Sequence, residues 1–178
     1  MPIDKSIDYS AIPPEIKALT KLCLAANVIE PEMYVKYAVN RGLRDLNGNG
    51  VLTGLTEISE IQSSKMVDGE KVPCEGKLFY RGVDVEQIVS GFIREKRYGF
   101  EETVYLLLFG ALPDEAQLDD FKKLLAGYRS LPTNFVRDVI LKAPNADMMN
   151  TLARSVLTLY SYDARATDNS TENVLRQC

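Results

Sequence analysis

The chain has 178 residues, of which 46% are hydrophobic and 26% charged, the composition of an ordinary globular protein long enough to bury a core. Lys and Arg number 21 against 25 Asp and Glu, so a net charge of −4 leaves no basic surplus to point to nucleic acid or an anionic membrane. Histidine is absent, which excludes a Ser-His-Asp or Cys-His couple, a histidine general base and a typical histidine metal site within these residues.

Residues 13–27 open with Pro13-Pro14 and carry Ile16, Leu19, Cys23 and Ala26 at steps of three and four, a helical stripe ending at Asn27. Pro31 suits the first turn of a second, shorter helix with Tyr34, Tyr37 and Ala38 on one side. Residues 41–50 are rich in Gly and Asn and read as loop. Residues 55–82 form the one convincing β region. Asp68-Gly69 is a two-residue hairpin turn, and Leu78, Phe79 and Tyr80 form a second short β-prone run after Pro73. Alternation is poor, so a small hairpin is expected there rather than a full sheet.

From Asp84 onward the pattern is helix after helix. Val85, Ile88, Val89, Phe92 and Ile93 make an apolar stripe behind Asp84 as N-cap. Residues 103–109 are apolar nearly all round, as in a helix buried on most sides, and Gly110 and Pro113 stop them. Asp114 can cap the next helix, striped by Leu118, Phe121, Leu125 and Tyr128. A helix with Phe135, Val136, Val139 and Ile140 follows Pro132 and ends at Pro144. Asp147 then caps a helix bearing Met149, Leu152, Ala153, Val156, Leu159 and Tyr160. After a polar connector at 163–170, residues 171–178 read as the first two turns of another helix. The expected class is therefore all-α and multi-helical, with one small hairpin.

Cys23, Cys74 and Cys178 are widely spaced and form no CxxC pair, which suits small apolar side chains in a reducing compartment. The first eight residues carry two Asp and no Arg and resemble neither a secretory signal nor a transit peptide, and no apolar run is long enough to span a bilayer. A soluble, cytoplasmic protein is expected.

Candidate sites are few. Asp45-Leu46-Asn47-Gly48-Asn49-Gly50 begins like a calcium loop, but its twelfth position is Thr56, with Glu57 one residue late, so a turn between elements is favoured over a metal site. Gly48, Gly50 and Gly54 do not form GxGxxG, so no nucleotide cofactor is expected. Arg94-Glu95-Lys96-Arg97 at a helix end, Glu101-Glu102 in a first helical turn and Asp119-Asp120 on a polar face all read as solvated charge that suits the helix dipoles. Arg81, beside Gly82, is the charged residue that no solvated face accommodates. It reads as an anion contact or a buried ion pair, with the pair favoured. The residues therefore predict no catalytic, cofactor-binding or metal-binding group.

Two segments carry more. Residues 76–85, Gly-Lys-Leu-Phe-Tyr-Arg-Gly-Val-Asp-Val, resemble the G-x-L-x-Y-R-G-x-x-I signature of citrate synthases. Residues 100–113, Phe-Glu-Glu-Thr-Val-Tyr-Leu-Leu-Leu-Phe-Gly-Ala-Leu-Pro, are similar to their F-E-E-V-x-x-L-L-x-x-G-x-L-P segment, and the order of elements over about 50–178 agrees as well. The resemblance implies an almost wholly helical homodimer that condenses acetyl-CoA with oxaloacetate to citrate and CoA in the tricarboxylic acid cycle. An Asp and two His from later segments do the chemistry, and none of them can be carried over onto this chain. It further implies that residues 1–45 are a helical extension and 46–178 the first part of the large helical domain, cut within a helix and inactive alone. Residues 148–160 would then belong to a dimer bundle through Met149, Leu152, Val156 and Leu159, although an internal core helix suits that stripe equally. A 2-methylcitrate synthase taking propionyl-CoA, a non-catalytic helical interaction module and, more weakly, a calcium-responsive domain remain alternatives.

Overall fold

The computed structural model describes residues 8, 10–40, 42–44 and 51–178. The calcium-like loop at 45–50 lies outside them. The described elements are α1 (Pro14–Ala26), α2 (Pro31–Lys36), β1 (Ser59–Val67), β2 (Glu70–Tyr80), β3 (Val83–Asp84), α3 (Val85–Glu95), α4 (Phe100–Phe109) and α5 (Glu115–Gly127). A π-helical turn (Val136–Leu141), α6 (Met148–Leu159), a 3-10 turn (Tyr160–Tyr162) and α7 (Thr171–Gln177) follow. Among the described residues no helix is long and apolar enough to cross a membrane.

The chain divides into two compact units, Leu22–Lys122 and, separately, Lys123–Cys178 with the chain up to Lys21. In the first unit, β1-β2-β3 form an antiparallel sheet. The sheet is larger than the expected hairpin, so the fold is mostly helical rather than all-α. Leu78, Phe79 and Tyr80 are not a separate run. They pair with Ile61, Glu60 and Ser59 as the far end of a β2 that continues through Pro73, and a bulge between Gln62 and Ser64 absorbs the irregular alternation. Two turns of the same kind close the ladder. Asp68-Gly69 has φ of 50° and 83°, and Arg81-Gly82 has φ of 49° and 80°, the positive pair that a type I′ hairpin turn requires.

The local helix signals are realised. The Asp84 carboxylate accepts from the Glu86 amide at 2.9 Å. Asp114 and Gln117 form a reciprocal capping box, each accepting the other's backbone N–H, at 2.8 and 2.9 Å. Gly110, at φ 82°, returns its N–H to the Leu106 carbonyl and ends α4. Behind it Tyr105, Phe109 and Phe121 interlock edge to face with ring centroids 4.6–5.9 Å apart, around Leu106.

In the second unit the helix expected after Pro132 forms, but with π winding over Val136–Leu141. Phe135, buried just before it, stacks edge to face on Tyr162. Asp147 caps α6 by accepting from the Asn150 amide at 3.1 Å. Asn173 of α7 is fully buried. Its amide group donates to the carbonyls of Arg165 and Asp168, both at 2.8 Å, and its oxygen accepts from Arg176. Arg176 in turn reaches Asp163 at 2.5 Å. Tyr37 and Ala38 fall beyond the end of α2, where Ala38 has φ 48°, so the side expected for that helix is shorter.

Candidate functional site

Three places gather chemistry-bearing or unsatisfied side chains. The first is Arg81. Among the described residues its guanidinium bonds to carbonyl and amide oxygens and not to the carboxylate expected of an ion pair. Its Nε and Nη2 donate to the Leu107 carbonyl at 3.2 and 2.9 Å, Nη1 to the Ala26 carbonyl at 2.8 Å and Nη2 to Asn27 Oδ1 at 2.7 Å. The physical reason for the difference is that carbonyls at two helix ends already carry the negative potential that a carboxylate would have supplied. Asn27, which the sequence marked only as a helix stop, completes the group by donating to the carbonyls of Cys23 at 2.6 Å and Leu108 at 3.3 Å.

A cleft of about 510 Å³ is bordered by Glu95, Arg97, Glu102, Asp114, Asp119 and Lys122 among others. Here too a sequence expectation is corrected. Arg97 is not solvated charge at a helix end, because it lies over the Phe92 ring at 5.0 Å and pairs with both Glu95 and Glu102. The αL conformation of Lys96 reverses the chain there and brings Arg97 back onto the first turn of α4. The Arg97 bond holds the Glu95 carboxyl below its usual range, and the bonds Arg97 donates to Glu102 and Glu95 raise the guanidinium's own value. Nearby, burial and then the charge of Asp114 push the Tyr105 hydroxyl up. Asp119 and Asp120 are exposed, as expected. The cleft contains carboxylates and cations but no thiol or imidazole, and among the described residues no group of three or more His, Cys, Asp or Glu could hold a metal ion. Its arrangement serves ion pairing, with Arg97 bridging Glu95 and Glu102.

The third place is α6. The helix buries Ser155 and turns its apolar stripe outward: Met149 is 72% exposed, Leu152 57% and Val156 58%, with Leu159 half-buried. Leu131, Phe135, Ile140, Leu141 and Pro144 extend this stripe into an apolar groove of about 420 Å³. The Thr151 and Thr158 hydroxyls bond back to the carbonyls of Asp147 and Arg154, so these two polar side chains are satisfied locally while the apolar stripe is not covered. The three cysteines are free thiols, with Cys23 and Cys74 half-buried and Cys178 exposed.

A family model described as citrate synthase, C-terminal domain, matches residues 45–178. The chain is 33% identical over 107 residues to a citrate synthase of Saccharolobus solfataricus, covering 60% of this chain and 26% of that protein. It is 33% identical over 116 residues to 2-methylcitrate synthase 1 of Corynebacterium glutamicum, covering 65% and 26%, and 39% identical over 67 residues to 2-methylcitrate synthase of Shewanella oneidensis, covering 38% and 16%. The chain thus spans at most about a quarter of the length of these curated relatives.

Proposed function

Because the chain belongs to the citrate synthase family, we propose that it is the N-terminal portion of an enzyme that condenses acetyl-CoA with oxaloacetate, and that its own share of the work is scaffold and subunit interface. Forming the new carbon–carbon bond requires a base to take a methyl proton from the thioester and acids to stabilise the enol and the carbonyl oxygen. The residues given to those roles by the family resemblance are an Asp and two His. A chain without histidine cannot supply the latter pair. The observation that carries the scaffold reading is the outward stripe of Met149, Leu152 and Val156 on α6, which suits a helix bundle shared between two subunits. A cytoplasmic setting is part of this reading, and three free thiols support it.

Two measurements test it. The purified chain, mixed with acetyl-CoA and oxaloacetate, is expected to release CoA no faster than buffer alone; release proportional to chain concentration would overturn the division of labour. By sedimentation the chain is expected to self-associate, and Leu152→Asp with Val156→Asp to shift it to monomer. Unchanged association in that double variant would remove α6 from the interface. The names of two relatives favour a second reading, in which propionyl-CoA replaces acetyl-CoA. Comparing kcat/KM for the two thioesters on the whole enzyme separates them.

A further inference from the structure

Arg81 stands where two helix C-termini meet. The last turn of α1 presents the Ala26 carbonyl, the end of α4 presents the Leu107 carbonyl, and the guanidinium lies between them, bonded to both. Each helix end carries roughly half a negative charge, so without a cation between them the two ends repel. They are nevertheless close: a Cβ built on Gly110 would come within 2.8 Å of the Ala26 Cβ. Arg81 itself sits at φ 49°, a conformation that disfavours a side chain, and a two-residue turn pins it there, with its N–H bonded to the Ile58 carbonyl at 2.9 Å.

We infer that Arg81 is a latch, a single cationic side chain that holds the Leu22–Ala26 end of α1, with Asn27, on the end of α4, and whose loss releases that end while the core around α4 stays folded. The core has its own support, since Tyr105, Leu106, Phe109 and Phe121 bury one another without reference to Arg81. The latched segment lacks such support. Leu22 and Leu24 are exposed, and its long-range polar ties that run to α4 pass through Arg81 and Asn27. The device goes beyond the proposed function, because it makes the attachment of residues 22–27 to the end of α4 depend on one charge.

Hydrogen exchange read by mass spectrometry on the intact chain tests the latch. In Arg81→Ala, amides of residues 22–27 are expected to exchange about tenfold faster or more, the scale set by losing hydrogen bonds to a charged group, while peptides covering 103–109 keep their protection. Guanidinium ion in the low millimolar range is expected to restore protection of 22–27 in that variant, whereas sodium at the same concentration does not, because the four acceptor contacts call for a planar fork. Arg81→Lys, a point charge without the fork, is expected to fall between. Unchanged exchange at 22–27 in Arg81→Ala would overturn the latch. So would equal loss of protection at 22–27 and 103–109, or rescue by sodium as well as by guanidinium.

Discussion

The two units handle their large side chains differently. In Leu22–Lys122, Tyr105, Phe109 and Phe121 face one another at edge-to-face distances around Leu106, which is 1% exposed. In Lys123–Cys178, α6 buries a serine and exposes Met149, Leu152 and Val156, and the most enclosed side chain is an asparagine, Asn173. The first unit is held by apolar surface removed from water. The second depends more on a directional network, in which Asn173 and Arg176 tie α7 to the 163–168 connector. The contrast shows that an apolar stripe of the right period establishes which face of a helix is apolar without establishing that the same chain covers it.

Breaking the apolar side should have the largest effect. Leu106→Ala is expected to cost about 3.5 kcal/mol in urea unfolding, the middle of the range for a fully buried leucine. Asn173→Ala attacks the polar side. It leaves two partly buried carbonyls and the Arg176 guanidinium each short of one partner, for an expected cost of about 2 kcal/mol, and exchange should rise first in residues 163–178. Removing a cap is milder: Asp114→Ala is expected to lower stability by about 1 kcal/mol without moving the aromatic cluster. At the small end, Leu152→Asp should change the unfolding free energy by no more than about 0.5 kcal/mol at concentrations where the chain is monomeric, because the side chain it replaces is mostly in water.

Acid sharpens the comparison further. Bonds from the Ser170 amide and then from Arg165 lower the Asp168 carboxyl from 3.8 to about 2. Burial raises Asp163, but bonds from Arg176, the Arg165 amide and Gln177 outweigh it and leave that carboxyl lowered as well. A carboxyl lowered in the folded state adds stability that is present above its ordinary value and lost as pH falls toward the folded value. Melting of the wild-type chain should therefore decline from about pH 4 down to about pH 2, and Asp168→Asn should flatten part of that decline. An identical profile in the variant would show that Asp168 does not contribute.

Much of this was legible in the residues, and the legible part has a common physics. Asp84, Asp114 and Asp147 cap helices through bonds to amides two or three positions away, Gly110 ends α4 by adopting a conformation that glycine accepts, and Asp68-Gly69 turns a hairpin for the same reason. The β2 strand was read too short because Pro73 and the bulge opposite it interrupted the alternation. Asn173 left almost no trace, since an asparagine inside a short helical pattern gives no sign that it will be buried. Resemblance carried the family.

The sequence by itself determined where most helices start and stop and which turn closes the hairpin, because those outcomes depend on residue type and on partners within about four positions. Only the tertiary structure decided what Arg81, Arg97 and the α6 stripe do. Arg81 finds its acceptors 54, 55 and 26 residues away, at two helix ends that no local pattern brings together. Arg97 meets Glu102 across a left-handed cap, and whether Leu152 is core or surface depends on what packs against α6, a question of three-dimensional neighbours that periodicity cannot pose.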